Sequence, residues 1–354
     1  MAFENESQRF QESFLKPPSK ADHREGSPFR GLEFFDFKHA RFFCGRTKAV
    51  AEALAVLEQN AAANKPFLLV LGPAGCGKTS LVRAGILPRL TQAGKVAGNG
   101  SWRHALTRPA TGRRGPFDAL AAALLAKSGL PEFPGAAAVN ASENLAVDLR
   151  EHPERAVLLL RGTLDRPSVK ASKSPADHQG SELAAAGGRE GVEFGQQDKL
   201  GRVEPRVRCA LVVDQLEELF AGGIPQEQQQ KYLAALAALV RCPGFFVIAT
   251  LRSDFYDPFL RTCGPDTLAV LSGRFEVSPP TAQEIAEIIR LPSEAVGLRF
   301  ENDPRTGRNL GEAILEAASV NAEYRSRSNI VVRRSHRTGW PYLLGKGLQQ
   351  FLLF

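Results

Sequence analysis

The stretch that decides the fold is Phe67-Leu68-Leu69-Val70-Leu71, followed by Gly72-Pro73-Ala74-Gly75-Cys76-Gly77-Lys78-Thr79. Five apolar residues in an unbroken run are typical of a parallel strand that is covered on both faces. The glycine-rich segment fits the pattern G-x-x-x-x-G-K-[ST], and residues at helical spacing follow it until Pro88. Strand, loop and helix therefore occur in the order that a phosphate-binding loop requires.

Each residue type in this loop has a physical reason to bind phosphate. Glycines let the backbone wrap closely around an anion with its N–H groups pointing inward, and the positive end of the following helix favours negative charge. Lys78 would place an ammonium group between the β and γ phosphates, and the Thr79 hydroxyl would bind Mg²⁺. We therefore expect a nucleotide site made of Gly72, Pro73, Ala74, Gly75, Cys76, Gly77, Lys78, Thr79 and Ser80.

Cys76 lies inside the loop, directly before the predicted helix. A helix N-terminus can lower the pKa of a thiol and make it reactive. The alternative is that the loop only requires a small side chain at this position.

A carboxylate that can hold Mg²⁺ follows the predicted strand at residues 207–213, whose last five residues are apolar. Asp214 begins the segment Asp214-Gln215-Leu216-Glu217-Glu218. We expect this strand to lie next to the strand of the glycine loop, so that Asp214 reaches the metal directly or through water. Hydrolysis also requires a group that orients the attacking water. Glu217 and Glu218 are both candidates, although acidic residues are also favoured in the first turn of any helix.

Arg252 comes two residues after the end of the predicted strand at residues 245–250. The carboxyl end of a parallel strand faces the ligand crevice, and a guanidinium at this point could contact a γ-phosphate. The alternative is a surface arginine that pairs with Asp254.

Apolar runs alternate with helical patterns along the chain, which predicts an α/β fold of three layers with a mainly parallel sheet. The predicted strands are at residues 67–71, 102–106, 207–213, 245–250 and 275–277. The predicted helices are at residues 49–62, 78–87, 116–126, 142–161 with a break at Pro153, 226–240, 281–290 and 309–320.

The changes in composition predict four parts of the chain. Residues 1–27 form a disordered leader, and residues 28–290 form the phosphate-loop domain with a disordered insertion at residues 162–206. Residues 291–322 begin a helical lid, and residues 323–354 form a basic tail.

The net charge of +7 is concentrated in the tail. Residues 323–354 contain six arginines and lysines and one glutamate, which leaves the other 322 residues with a charge of only +2. A nucleic-acid interface is therefore not indicated for the domain itself.

Several other classes of protein are excluded by pattern. No apolar run approaches the ~18 residues that a membrane helix requires, and the N-terminus lacks the apolar region of a secretory signal. The five cysteines form no C-x-x-C pair, so neither a zinc site nor a disulfide framework is predicted. We expect a cytoplasmic protein with reduced thiols.

Four segments together resemble the novel STAND NTPases, a family of signal-transduction ATPases related to the NACHT, NB-ARC and AAA+ groups. The segments are FRGLEFFDFKHARFFCGR at 29–46, GPAGCGKTSLVRAGILPRL at 72–90, LVVDQLEELF at 211–220 and ATLRSDFYDPF at 249–259. The resemblance covers residues 28–322 apart from the insertion.

The resemblance implies a role for each matching residue. Gly45 and Arg46 correspond to a segment near the adenine pocket, although Thr47-Lys48 stands where the family usually has an acidic residue. Asp214 with Glu217 or Glu218 corresponds to the extended Walker B motif, and Arg252 to the position that senses the γ-phosphate. Such proteins are switches in which ADP holds a closed form, and ATP favours an open form that oligomerises.

The function implied is an ATP-binding switch module with slow Mg²⁺-dependent hydrolysis. Alternatives are an AAA+-like ATPase that associates with DNA and a small-molecule kinase with the same loop. A guanine-reading N-K-x-D motif is absent, so a regulatory GTPase is not expected.

A further alternative is a non-functional remnant. After Ala322 the segment YRSRSNIVVRRSHRTGW replaces the leucine-rich helix that the family has, which suggests a truncated or frame-shifted gene. A leucine-rich continuation in another reading frame of the gene is what this hypothesis requires.

Overall fold

The computed structural model describes residues 28–30, 33–91, 101–112, 114–136, 138, 140–165, 207–302, 307 and 309–316. The predicted leader, most of the predicted insertion and the basic tail lie outside these residues. Among the described helices, none is both long and apolar enough to cross a membrane.

A five-stranded parallel sheet forms the centre of the described part of the chain, which confirms the predicted fold class. The strands are β1 Phe67–Gly72, β2 Ser101–Thr107, β3 Val207–Val213, β4 Phe245–Arg252 and β5 Arg274–Glu276, and their order in the sheet is β2-β3-β4-β1-β5. The prediction that the Asp214 strand lies next to the strand of the glycine loop is wrong, because β4 pairs with both β1 and β3 and separates them.

The helices are α1 Thr47–Ala62, α3 Pro116–Leu125, α4 Ala141–Glu151, α5 Pro153–Leu164, α6 Glu218–Ala221, α7 Gln226–Arg241, α8 Tyr256–Thr262, α9 Pro265–Val270 and α10 Ala282–Ala295. Helix α2 follows the glycine loop as three consecutive segments, Lys78–Ser80, the π-helical Leu81–Ile86 and Leu87–Leu90. Short 3₁₀ turns occur at Phe37–Phe42, Pro109–Thr111 and Ser253–Phe255, and residues 310–316 are helical.

Two hydrophobic clusters on opposite faces of the sheet produce the three layers. In β1, Phe67, Leu69 and Leu71 belong to one cluster, which includes residues of α3, α4, α5 and α7. Leu68 and Val70 belong to the other cluster, which includes residues of α1 and α2. Every residue of β1 is buried because helices cover both faces, and this explains the unbroken apolar run in the sequence.

Two prolines act differently from one another. Pro153 begins α5 and separates it from α4, as the predicted break requires. Pro88 does not end α2, which continues to Leu90. It falls in the first turn of the segment that follows the π-helical stretch, and a proline without an N–H is tolerated in a first turn.

Two predicted boundaries fall inside helices. The insertion was expected from residue 162, whereas α5 runs to Leu164 and buries Thr163 and Leu164. The boundary between domain and lid at residues 290 and 291 falls within α10, where Pro292 and Ser293 are buried. Composition alone misses both boundaries because a few buried side chains suffice to continue a helix.

Candidate phosphate and metal site

The glycine loop lies between β1 and α2 and requires glycine at defined points. Gly75 and Gly77 have φ angles of +76° and +84°, in the left-handed region that side chains disfavour. A Cβ atom on Gly72 would lie 2.5 Å from the Cys76 sulfur. The loop is therefore too compact for side chains at these positions, and its backbone can approach an anion closely.

The Lys78 ammonium is directed back into this loop. Its Nζ donates hydrogen bonds to the carbonyl oxygens of Gly72 at 2.9 Å and Pro73 at 2.8 Å, and the side chain is buried. A compact positive charge is thus held at the first turn of α2, which itself favours anions.

The other loop residues predicted to bind nucleotide differ in exposure. Ala74 is exposed at the tip of the loop. Ser80 is buried in the first turn of α2, and its Oγ accepts a hydrogen bond of 3.1 Å from the backbone N–H of Phe35. The segment before α1 is therefore fastened to the loop.

Asp214 meets Thr79 at the carboxyl end of the sheet. The Thr79 hydroxyl donates to Asp214 Oδ1 at 2.9 Å, and the Thr250 hydroxyl donates to the same oxygen at 2.8 Å. Thr250 lies on β4, so the strand that separates the two predicted ligands also supplies a group that fixes one of them. Asp214 is buried, which is exceptional for a carboxylate that is not paired.

Arg83 supplies the charge that pairs with Asp214. Its Nη2 lies 3.1 Å from Asp214 Oδ2, and both side chains are largely buried. Neither Arg83 nor Thr250 is among the residues predicted from the sequence. Arg83 stands four residues after Thr79, on the same face of the helix, and Thr250 is a polar residue inside an apolar run, so both had a signal in the sequence.

The turn after Asp214 has a strained backbone. Gln215 has a φ of +56°, and its N–H donates to Thr250 Oγ1 at 2.8 Å. A left-handed conformation in a residue other than glycine costs energy and tends to occur at functional sites. Here the left-handed conformation of Gln215 turns the chain so that Glu217 lies close to the end of β4.

The two adjacent glutamates have different surroundings. Glu218 forms an ion pair with Arg108, and its Oε2 accepts from the backbone N–H of Ala110 at 3.0 Å. Glu217 Oε2 accepts a long hydrogen bond of 3.3 Å from the backbone N–H of Arg252, and its carboxylate also interacts with the Glu217 backbone N–H. Burial raises the pKa of Glu217, and these backbone contacts and the positive charge of Lys78 act in the opposite direction. Glu218 is thus held by an arginine side chain, whereas the contacts of Glu217 are to backbone N–H groups near the end of β4.

The Arg252 guanidinium is turned toward the surface. Its Nε and Nη2 donate to the two carboxylate oxygens of Asp254, at 3.1 and 2.6 Å, and it lies over the ring of Phe255. Its backbone, in contrast, is paired with Gly72 at the start of the loop. The backbone of Arg252 therefore lies beside the glycine loop. Its side chain pairs with Asp254 at the surface, as the alternative interpretation of the sequence predicts.

Gly45 and Arg46 contact α10. The Arg46 guanidinium donates to Glu284 Oε2 at 3.3 Å and to the carbonyl oxygen of Ser278 at 2.7 Å. A Cβ atom on Gly45 would lie 2.5 Å from the carbonyl oxygen of Glu284. The residues that the resemblance assigns to the adenine pocket therefore join the segment before α1 to α10.

The Cys76 thiol is not activated in this structure. Burial raises its pKa, and the opposing effects of the Lys78 and Arg46 charges are smaller. This favours the alternative that the loop only requires a small side chain at this position, because the loss of water around the thiolate has the larger effect on its pKa.

The residues at the end of the sheet suit Mg²⁺. A threonine hydroxyl and a carboxylate are oxygen donors, and Mg²⁺ in nucleotide sites takes one or two such protein ligands and completes its shell with phosphate and water. The loop, the ammonium and these two oxygens adjoin one another, as the binding of a metal-complexed triphosphate requires.

One family of known proteins matches most of the chain. The model of the family described as Novel STAND NTPase 1 matches residues 28–320. The chain has no significant match among curated proteins.

Two solved structures are distantly similar. A chain in the structure of Drosophila ORC bound to AT-rich DNA and Cdc6 is 11% identical with a TM-score of 0.36, and the match covers 68% of this chain and 59% of that one. C. elegans PCH-2 is 12% identical with a TM-score of 0.35, over 90% of this chain and 69% of that one.

Proposed function

Because the chain belongs to the novel STAND NTPase family, we propose that it binds ATP with Mg²⁺ and acts as a signalling switch that hydrolyses ATP slowly. The observation that carries the proposal is the 2.9 Å hydrogen bond between Thr79 and Asp214. It brings together two oxygen ligands for a metal ion, next to a loop whose backbone N–H groups and lysine can bind phosphate.

In this proposal the loop amides and Lys78 bind the β and γ phosphates. Thr79 binds the metal directly, and Asp214 binds it directly or through water. The metal, when bound, neutralises the charge that develops on the phosphates.

Glu217 is the group that orients the attacking water and accepts its proton. Its carboxylate is held by backbone N–H groups, including that of Arg252 at the end of β4, and the positive charge of Lys78 partly offsets the increase in its pKa that burial causes. Glu218 instead stabilises the turn that contains Arg108. Arg252 contacts the γ-phosphate after its guanidinium leaves Asp254, an exchange of one anionic partner for another.

The switch requires a part of the chain that responds to the nucleotide, and α10 is suited to this role. Arg46 ties α10 to the segment before α1, and that segment in turn contacts Ser80 in the loop. A nucleotide shifts the population of closed and open forms only by the difference in its affinity for them. We propose that ADP favours the docked position of α10 and that ATP favours its release.

The first test is nucleotide binding by the purified chain, measured by calorimetry with ATP and ADP in magnesium buffer. Lys78→Ala removes a charge-assisted contact, so we expect its affinity for ATP to fall by about 1.5–3 kcal/mol. Lys65→Ala is the matched control, because Lys65 is an exposed lysine outside the loop. A folded wild-type chain without affinity for any purine nucleotide would contradict the proposal.

A second measurement distinguishes hydrolysis from phosphate transfer. We expect ADP and inorganic phosphate to be released together, in equal amounts, without an added acceptor. ADP formation that depends on a small-molecule acceptor would favour the kinase alternative.

A further inference from the structure

Arg83 is the charged residue nearest to Asp214 that the proposed mechanism does not use. Its Nη2 pairs with Asp214 Oδ2 at 3.1 Å, whereas Thr79 and Thr250 both donate to Oδ1. The two oxygens of the carboxylate therefore have separate partners. Rotation of the carboxylate about its Cβ–Cγ bond would break all three contacts at once.

The guanidinium of Arg83 is itself held in place from the other side. It lies over the ring of Phe34, 4.4 Å from the centroid, and its Nη1 is 4.0 Å from Asp36 Oδ1. Asp36 is fixed in turn, because it caps the 3₁₀ turn Phe37–Phe42 by accepting from the Phe37 N–H at 2.9 Å. Phe34, a large apolar side chain, is 44% exposed, and this contact covers one face of its ring.

We infer that Arg83 is a positioning residue for the metal ligand Asp214, an inference that rests on the proposed function. By holding Oδ2, Arg83 keeps Oδ1 beside Thr79, so that both oxygen ligands face the same metal ion. Removing a residue that hydrogen-bonds to a metal ligand and orients it typically lowers metal affinity by about 10–100-fold. Arg83 itself contacts neither metal nor nucleotide and acts through Asp214.

The test measures the magnesium contribution, defined as the affinity for ATP with Mg²⁺ divided by the affinity in EDTA. In Arg83→Gln we expect this ratio to fall about tenfold, with the affinity in EDTA unchanged. Arg89→Gln, a second half-buried arginine of α2, is the matched control and should keep the wild-type ratio.

A double-mutant cycle separates positioning from a general structural role. If Arg83 acts through Asp214, Arg83→Gln causes no further loss in a chain that already carries Asp214→Asn. Additive losses in the cycle would overturn the inference. An equal loss of affinity with Mg²⁺ and in EDTA would overturn it as well.

Arg83→Gln leaves the buried Asp214 without its counter-charge and can therefore prevent folding. Arg83→Lys is measured beside it, since it keeps the charge without the planar fork of arginine. We expect the lysine variant to fold and its magnesium contribution to fall about threefold. This decrease is smaller than the roughly tenfold or greater loss that is typical when a contact to a metal ligand is removed. A folded Arg83→Lys or Arg83→Gln chain with the full wild-type ratio would overturn the inference. Wild-type protein that binds no nucleotide would overturn the proposed function and this inference together.

Discussion

Single residues decide which of two adjacent carboxylates can take part in chemistry. Glu217 and Glu218 are identical in type and adjacent in sequence, yet Arg108 and the Ala110 N–H occupy both oxygens of Glu218. We expect Glu217→Gln to lower the rate of ATP hydrolysis at least about 100-fold, which is the smaller end of what a general base contributes. Its affinity for ATP should be unchanged in the same calorimetric assay.

The control for this prediction is Glu218→Gln. It should keep most of the hydrolysis rate and lose at most about 1 kcal/mol of stability, because its ion pair with Arg108 is partly exposed. If Glu218→Gln lost hydrolysis and Glu217→Gln kept it, the roles assigned to the two residues would be reversed.

The pH dependence of stability gives a second prediction for Glu217. Burial raises its pKa in the folded chain above that in the unfolded chain. Its contribution to stability is therefore fully present at low pH and is lost as the pH rises through the folded-state pKa. We expect Glu217→Gln to melt at a higher temperature than wild type at about pH 7, with the difference disappearing at about pH 3, below the usual pKa of a glutamate. A difference in melting temperature that is independent of pH would contradict this.

At the scale of elements, the docking of α10 depends on one glycine. Gly45 has a φ of +73°, and its Cα lies against the backbone of α10. We expect Gly45→Ala to lower the free energy of unfolding by about 1–3 kcal/mol, because the new methyl group is strained and collides with the Glu284 carbonyl. Urea unfolding checks this.

The same substitution at Gly162 should have the opposite sign. Gly162 lies within α5, and beyond the backbone of α5 itself a Cβ atom there would meet none of the described atoms within 4 Å. An alanine in an open helical position should stabilise the chain by about 0.4–1 kcal/mol. If Gly45→Ala and Gly162→Ala changed stability alike, the close approach of Gly45 to α10 would not be important.

At the scale of the whole molecule, a switch must convert nucleotide binding into a change of assembly. A shift from 1:99 to 99:1 between two forms requires about 5.5 kcal/mol of differential affinity. We expect Glu217→Gln, which retains ATP, to form larger species with ATP and Mg²⁺ than with ADP in light-scattering measurements. Lys78→Ala should give the same mass under both conditions. Equal mass for Glu217→Gln with either nucleotide would argue against an ATP-driven assembly.

The sequence predicted the central β-strands well because burial on both faces leaves a local pattern of apolar residues. An unbroken run such as the one that forms β1 can be recognised without knowledge of the neighbouring strands. Boundaries were less predictable. Pro88 stands within α2 and Pro292 within α10, and whether a proline ends a helix depends on the hydrogen bonds of the turn around it.

By itself, the sequence determined the phosphate loop, since consecutive residues from Gly72 to Thr79 carry its geometry and charge in their own backbone and side chains. Tertiary structure alone decided which distant groups meet that loop. Thr79 and Asp214 are 135 positions apart and meet across β4, and Arg83 joins them from α2. The order of the strands and the packing of α2 on the sheet determine these contacts, and neither is encoded in any short stretch of the chain.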